Sequence, residues 1–307
     1  MSTGSQPSFA SEVGPPFVGL LFSIGMYGIL CLQTYTYFHS YSDRRHLRYL
    51  VAIVWLVETF HTVIISDSIY YYDIVNYNNP NVLNSSTWTV NIHVVVTAFV
   101  AFLIQNFFAY RIYILSECNK LVTGIITLLS FIQLAFGSVV TIRAFTIKYF
   151  VLLTTAEWSI GSFLGTTLAC DIFITLSMCY YLHGSRTGFK RTDSLVNTLI
   201  LYALSTGAIT AAIALANLIT FFSQPTSLVT LGLNFILAKV YSNSLLATLN
   251  ARKHLNARLY KTQDFTINLT GVPSSDVNFD ARKTQDLPLP FAAVSGGSDE
   301  TSGDNQV

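Results

Sequence analysis

The sequence predicts an all-α fold: an integral membrane bundle of seven transmembrane helices, with the N-terminus outside and the C-terminus cytoplasmic. Three observations predict it. Seven apolar stretches recur along the chain, each at least the roughly twenty residues that a helix needs to cross the hydrocarbon core. Charged residues make up only 11% of the sequence, against about a quarter in an ordinary soluble domain, and mean hydropathy is +0.49. Of the 17 lysines and arginines, 14 fall in one alternating set of gaps between the apolar stretches. Short cytoplasmic loops collect Lys and Arg, and translocated loops do not.

The spans run Phe17–Phe38, Leu47–Ser68, Val90–Leu115, Leu121–Arg143, Trp158–Leu182, Leu195–Phe222 and Leu228–Leu249. The first cytoplasmic loop holds Arg44, Arg45 and Arg48; Arg111 and Lys120 bracket the second; the third carries Arg186, Lys190 and Arg191. On the opposite side the loop 69–89 has no basic residue, and only Arg143 and Lys148 fall outside. Residues 1–15 form a short external segment without Lys or Arg, so the basic region of a cleavable signal peptide is missing. Residues 16–250 form the transmembrane domain. Residues 251–261 set Leu255, Leu259 and Tyr260 among basic residues, the pattern of a short amphipathic helix on the inner leaflet. Residues 262–307 are poor in apolar side chains and predict a disordered cytoplasmic tail.

Asn84-Ser85-Ser86 in the external loop is an N-glycosylation acceptor pattern at Asn84. Tyr70, Tyr71, Tyr72 and Trp88 flank that loop, as aromatic residues do at a membrane boundary. The four cysteines lie within or at the cytoplasmic ends of spans, so no external disulfide is expected. Cys118, at a boundary, is either an acylation site or an inert thiol. Gly161 and Gly165 make a GxxxG pair, and Gly207 opens a small-residue face in the sixth span. Both predict close helix packing, within the chain or, as the alternative, in a dimer interface.

Ionisable residues deep in a bilayer are costly and are therefore candidate functional positions. Glu58, Asp171 and Lys239 are 11, 12 and 11 residues from Leu47, His183 and Asn250, the cytoplasmic ends of their helices. At 1.5 Å per residue all three lie about 16–18 Å from the inner boundary. Gln105 and Asn106 lie near that level, and His61 is one turn from Glu58 on the same face. Two carboxylates and one cation at one depth predict a central polar cluster. It is a ligand, ion or proton site, a switch between two pairings, or a permanent ion pair fixing the helices. The two intramembrane histidines, His61 and His93, differ in depth by about two turns and do not supply the three ligands of a zinc hydrolase. Lys239 also stands where a retinal Schiff base would form, a chemistry that further needs a tight aromatic cage and a counterion, which are features of the fold and not of a sequence pattern. No cofactor is expected. No Walker loop, HExxH or GxSxG pattern occurs, so an enzyme is not expected. The net charge of +1 carries no nucleic-acid signal.

Three segments carry a family resemblance: Ala109-Tyr110-Arg111-Ile112-Tyr113, the loop from Ser185 to Asp193, and Lys239 to Arg252 in the seventh span. The chain resembles an uncharacterised family of multi-pass membrane proteins abundant in mushroom-forming fungi and filed as a domain of unknown function. The resemblance implies seven helices and no assigned activity, ligand or catalytic residue. Arg111 occupies the place where G-protein-coupled receptors put an arginine. No acidic residue precedes it, and no proline interrupts the sixth or seventh span, so a rhodopsin-like receptor is disfavoured. The expectation is receptor-like sensing through the polar level, with a cytoplasmic protein partner. The alternatives are a small-molecule or proton-coupled transporter, and a membrane scaffold. Seven helices without an inverted repeat weigh against the carrier.

Overall fold

The computed structural model describes residues 9–79, 82, 85–147, 157–184, 190–225 and 227–269. The described elements are helices: α1 Phe9–Ser40, α2 Arg45–Tyr70, α3 Trp88–Leu115, α4 Lys120–Ile147, α5 Glu157–Gly184, α6 Lys190–Ser223 and α7 Val229–Leu269. A π-helical turn, Tyr71–Val75, prolongs α2. Among the described residues, seven helices are long and apolar enough to cross a membrane.

The helices form a closed ring in chain order, α1 beside α2 and onward to α6 beside α7, with α7 returning against α1. Contacts of α3 with α5 and α7, and of α2 with α7, fill the middle. Within its spanning segment α7 is 72% buried, against 22–50% for the others, so α7 is the central helix. The outer faces are apolar: Leu21, Phe22, Leu32, Leu56, Val63, Leu128, Leu176 and Ile219 are all exposed. Glu58, His61, Gln105, Gln133, Asp171 and Lys239 are buried. Polar groups inside and hydrocarbon outside is the distribution that a lipid solvent requires.

Two stretches differ from the sequence expectation. Pro15 and Pro16 lie inside α1, which begins at Phe9 and not at Phe17; neither proline can donate to the carbonyl four residues back. At the other end, no Gly or Pro occurs between Gly232 and Gly271 to stop the seventh helix. The helix therefore runs through 251–261 as one element and persists to Leu269, past Thr262 where the sequence predicts disorder. Asn84 and Arg186 lie outside the described residues, as do the side chains of Lys190 and Arg191, which open α6. Of the aromatic residues at the α2–α3 loop, Tyr70 and Trp88 are exposed and Tyr72 is buried. Its hydroxyl donates to Ser85 O at 2.8 Å and accepts from Thr87 N at 3.0 Å, tying the loop to α2. Cys118 is exposed, in the α3–α4 turn, at φ 70°.

The tightest seam joins α1 to α7. A Cβ on Gly19 would lie 2.6 Å from the Gly232 backbone, and one on Gly232 would lie 2.6 Å from Pro15 O. Further along, Asn243 Nδ2 donates to Met26 O at 3.1 Å and Asn250 Nδ2 to Gln33 O at 2.9 Å. Both partners advance by the same seven-residue step, so the two helices keep register as they run side by side. The Tyr41 hydroxyl adds a bond of 2.7 Å to Asn250 O. Of the glycines that the sequence marks, Gly207 abuts Thr175, and a Cβ on Gly161 would lie 3.0 Å from the Phe222 ring, both between α5 and α6. Gly165 meets nothing within 4 Å, so the GxxxG pair is not a contact motif within the chain.

These contacts set a ranking. Gly232→Ala should lower stability by about 1–3 kcal/mol, because its methyl meets backbone that cannot rotate away. Gly165→Ala should be neutral or slightly stabilising. Thermal unfolding in detergent, read for both variants side by side, checks the order.

Candidate functional site

Glu58 on α2 and Lys239 on α7 form an ion pair whose side chains are both 0% exposed. The pair has more partners than its two charges. Lys239 Nζ bonds Glu58 Oε2 and donates to Glu58 O at 2.9 Å, while the other carboxylate oxygen, Oε1, accepts from Ser242 Oγ at 2.6 Å. Lys239 and Ser242 share a face because three residues bring a helix almost one turn round. His61, the next turn of α2, places Nδ1 3.4 Å from Lys239 Nζ and 3.9 Å from Glu58 Oε2. The Tyr27 ring of α1 covers the ammonium, its centroid 5.5 Å from Nζ, and the Tyr27 hydroxyl bonds Thr59 Oγ1 at 2.8 Å. Every approach to this pair is filled by protein.

Asp171 stands apart from it. Its Oδ2 accepts from the Tyr241 hydroxyl at 2.5 Å and its Oδ1 from Gln105 Nε2 at 3.5 Å. Thr210 of α6 lies beside Asp171 in the wall of one cavity, its hydroxyl donating to Gly207 O at 3.0 Å, and Gln105 Nε2 continues to Gln133 Oε1 at 2.7 Å. No Lys, Arg or His pairs with Asp171 among the described residues. The reason is angular. Lys239 and Tyr241 are two residues apart on α7, hence nearly level in depth but about 200° apart in direction. One faces α2 and the other faces α5. The single cluster expected from depth is therefore two sites, back to back across the central helix.

The remaining candidates divide between them. His61 joins the ion pair and reaches Thr97 Oγ1 at 3.4 Å; Gln105 joins Asp171. Asn106 joins neither: its Nδ2 donates to Phe102 O at 2.8 Å and Ser130 Oγ at 3.0 Å, toward α4. The rings of His61 and His93 are centred 6.3 Å apart, closer than their depths in sequence suggest. His93 Nδ1 bonds Val90 O, and its Nε2, buried, has no hydrogen-bond partner. Arg111, at the end of α3, sits 5.9 Å from the Phe107 ring centroid. Sequence reasoning missed Ser242, Tyr241, Gln133 and Thr210 as site residues. Only Ser242, three residues after Lys239, carried a legible signal.

A cavity of about 40 Å³ adjoins Asp171, walled by Gln105, Thr206, Thr210, Tyr241 and Ser244 among others. It is far below the roughly 300 Å³ at which small-molecule sites begin.

Residues 167–254 match a family of unknown function (DUF6534). The match takes in Asp171, Lys239 and Tyr241, and with them two of the three sequence motifs; Glu58 and the segment 109–113 lie outside it. No curated protein and no solved structure matches the chain.

Removing one partner of a buried ion pair leaves the other charge without compensation, which costs about 3–5 kcal/mol. Lys239→Met should show a loss of that size in detergent unfolding. Asp171→Asn loses no ion pair and keeps acceptor capacity for Tyr241, so its loss should be closer to about 1 kcal/mol. Equal losses in the two variants would contradict this division of the core.

Proposed function

We propose that the chain is a receptor-like membrane protein of the secretory pathway or plasma membrane, with its N-terminus outside and its C-terminus in the cytoplasm. In this reading the Glu58–Lys239 pair is a latch between α2 and α7. Releasing it lets the central helix shift, and the cytoplasmic ends, with Arg111 and the Arg186, Lys190 and Arg191 loop, present a changed surface to a protein partner.

The observation that carries the proposal is the pair itself. It is sealed from solvent and joins the second helix to the central one, and His61 Nδ1 lies 3.4 Å from Lys239 Nζ and 3.9 Å from Glu58 Oε2. An imidazole within reach of both members of the pair keeps a hydrogen-bond partner beside the ammonium as the helices move, which is what a switch buried in lipid needs. Orientation rests on the distribution of Lys and Arg. The completeness of the pair's hydrogen bonding favours a second reading, in which the latch never opens and the protein is a scaffold.

The Glu58→Gln/Lys239→Met double variant removes the latch without stranding a charge. Spin labels at Tyr110 on α3 and Leu201 on α6, both exposed, should report a shifted distance distribution in that variant while the helices stay folded. An unchanged distribution would sink the receptor-like reading in favour of the scaffold. Solute or proton flux in liposomes that collapses with Lys239→Met would instead point to a carrier. For orientation, an N-terminal tag should label on intact cells and a C-terminal tag only after permeabilisation; the reverse pattern would invert the topology.

A further inference from the structure

We propose that the Asp171 cavity is a binding site for a small monovalent cation, of which sodium is the type. The site is separate from the Glu58–Lys239 latch and does not depend on it.

Charge comes first. Asp171 is 4% exposed at mid-span of α5, and the groups that bond it, Tyr241 and Gln105, are both neutral. A carboxylate in that position, at membrane depth, lacks one positive charge. A monovalent ion supplies that charge, whereas a divalent ion would leave an uncompensated charge of its own.

The donors come second. Gln105 Oε1 is buried and has no hydrogen-bond partner, and Gln105 itself is in the cavity wall beside Asp171 and Ser244. Its Nε2 is already committed to Gln133 Oε1 at 2.7 Å, which fixes the amide. A buried amide oxygen without a donor is itself costly, and a cation removes that cost. Carboxylate, amide and hydroxyl oxygens are the ligands of hard cations; no imidazole is in the wall.

Size comes third. The cavity holds about 40 Å³. A water needs about 10–15 Å³ in this measure, so the space fits one small ion with about two waters of its shell. Four helices meet there, α3 through Gln105, α5 through Asp171, α6 through Thr210 and α7 through Tyr241 and Ser244. An ion at that junction would tie them together and stabilise the packed arrangement by linkage.

The test uses the full chain in detergent, unfolded thermally in sodium chloride or choline chloride at matched ionic strength, at each of several buffered pH values. Tm should rise saturably with sodium over choline, and Lys239→Met should keep that increment while Asp171→Asn abolishes it. Should Asp171→Asn fail to fold, Ser244→Ala serves: loss of one oxygen ligand should raise the half-saturating sodium concentration by about tenfold. Equal Tm in sodium and choline for the unaltered chain would overturn the proposal. So would an increment that survives Asp171→Asn, or one that follows pH and ignores sodium, which would make the cavity a proton site.

Discussion

A charge held where water cannot reach it must find its opposite, and in this molecule Lys239 finds Glu58. The geometry of the bundle is organised around that requirement. The pair lies on the central helix, which touches α1, α2, α3 and α6, and it is sealed by Tyr27 above the ammonium and Ser242 on the carboxylate. Replacing such a pair by apolar residues is often harmless, whereas breaking it is costly. Stability alone is thus a poor reason for the chain to carry it. His61 Nδ1, 3.4 Å from the ammonium, is the next polar group beside the pair.

Six consecutive residues of α7 show how one helix serves five neighbours. Lys239 and Ser242 turn to α2, Tyr241 and Ser244 face α3, α5 and α6, and Asn243 hooks the Met26 carbonyl of α1. Each step of about 100° changes the audience. The same geometry that keeps the acids apart keeps the ion pair and the Asp171 cavity electrically distinct, so each can have its own ligand or partner state.

Much of the fold was legible in the sequence because a membrane makes helix length and hydropathy nearly sufficient. The seven spans fall where the apolar stretches lie, and depth counted from the loops places Glu58, Asp171 and Lys239 at one level. What depth does not contain is direction. Lys239 meeting Glu58 and not Asp171 depends on how each helix is rotated against its neighbours, and rotation is set by packing. Gly19 and Gly232 fix the α1–α7 approach, yet each is a single glycine two hundred residues from the other, with no local pattern to mark it. Gly161 and Gly165 did form a pattern, and only Gly161 makes a contact. The polar partners Gln133 and Thr210 were hidden for the same reason: uncharged groups in an apolar helix attract notice only once their facing helix is known.

The division of the polar core into two sites is the claim on which everything above depends, and a pair of double-mutant cycles measures it directly. Lys239→Met is combined with Glu58→Gln in one cycle and with Asp171→Asn in the other, and unfolding free energies are compared. The coupling between positions 58 and 239 should be about 2 kcal/mol or more, and that between 171 and 239 should fall within about 0.5 kcal/mol of zero. A strong coupling of Lys239 to Asp171, with none to Glu58, would contradict the account.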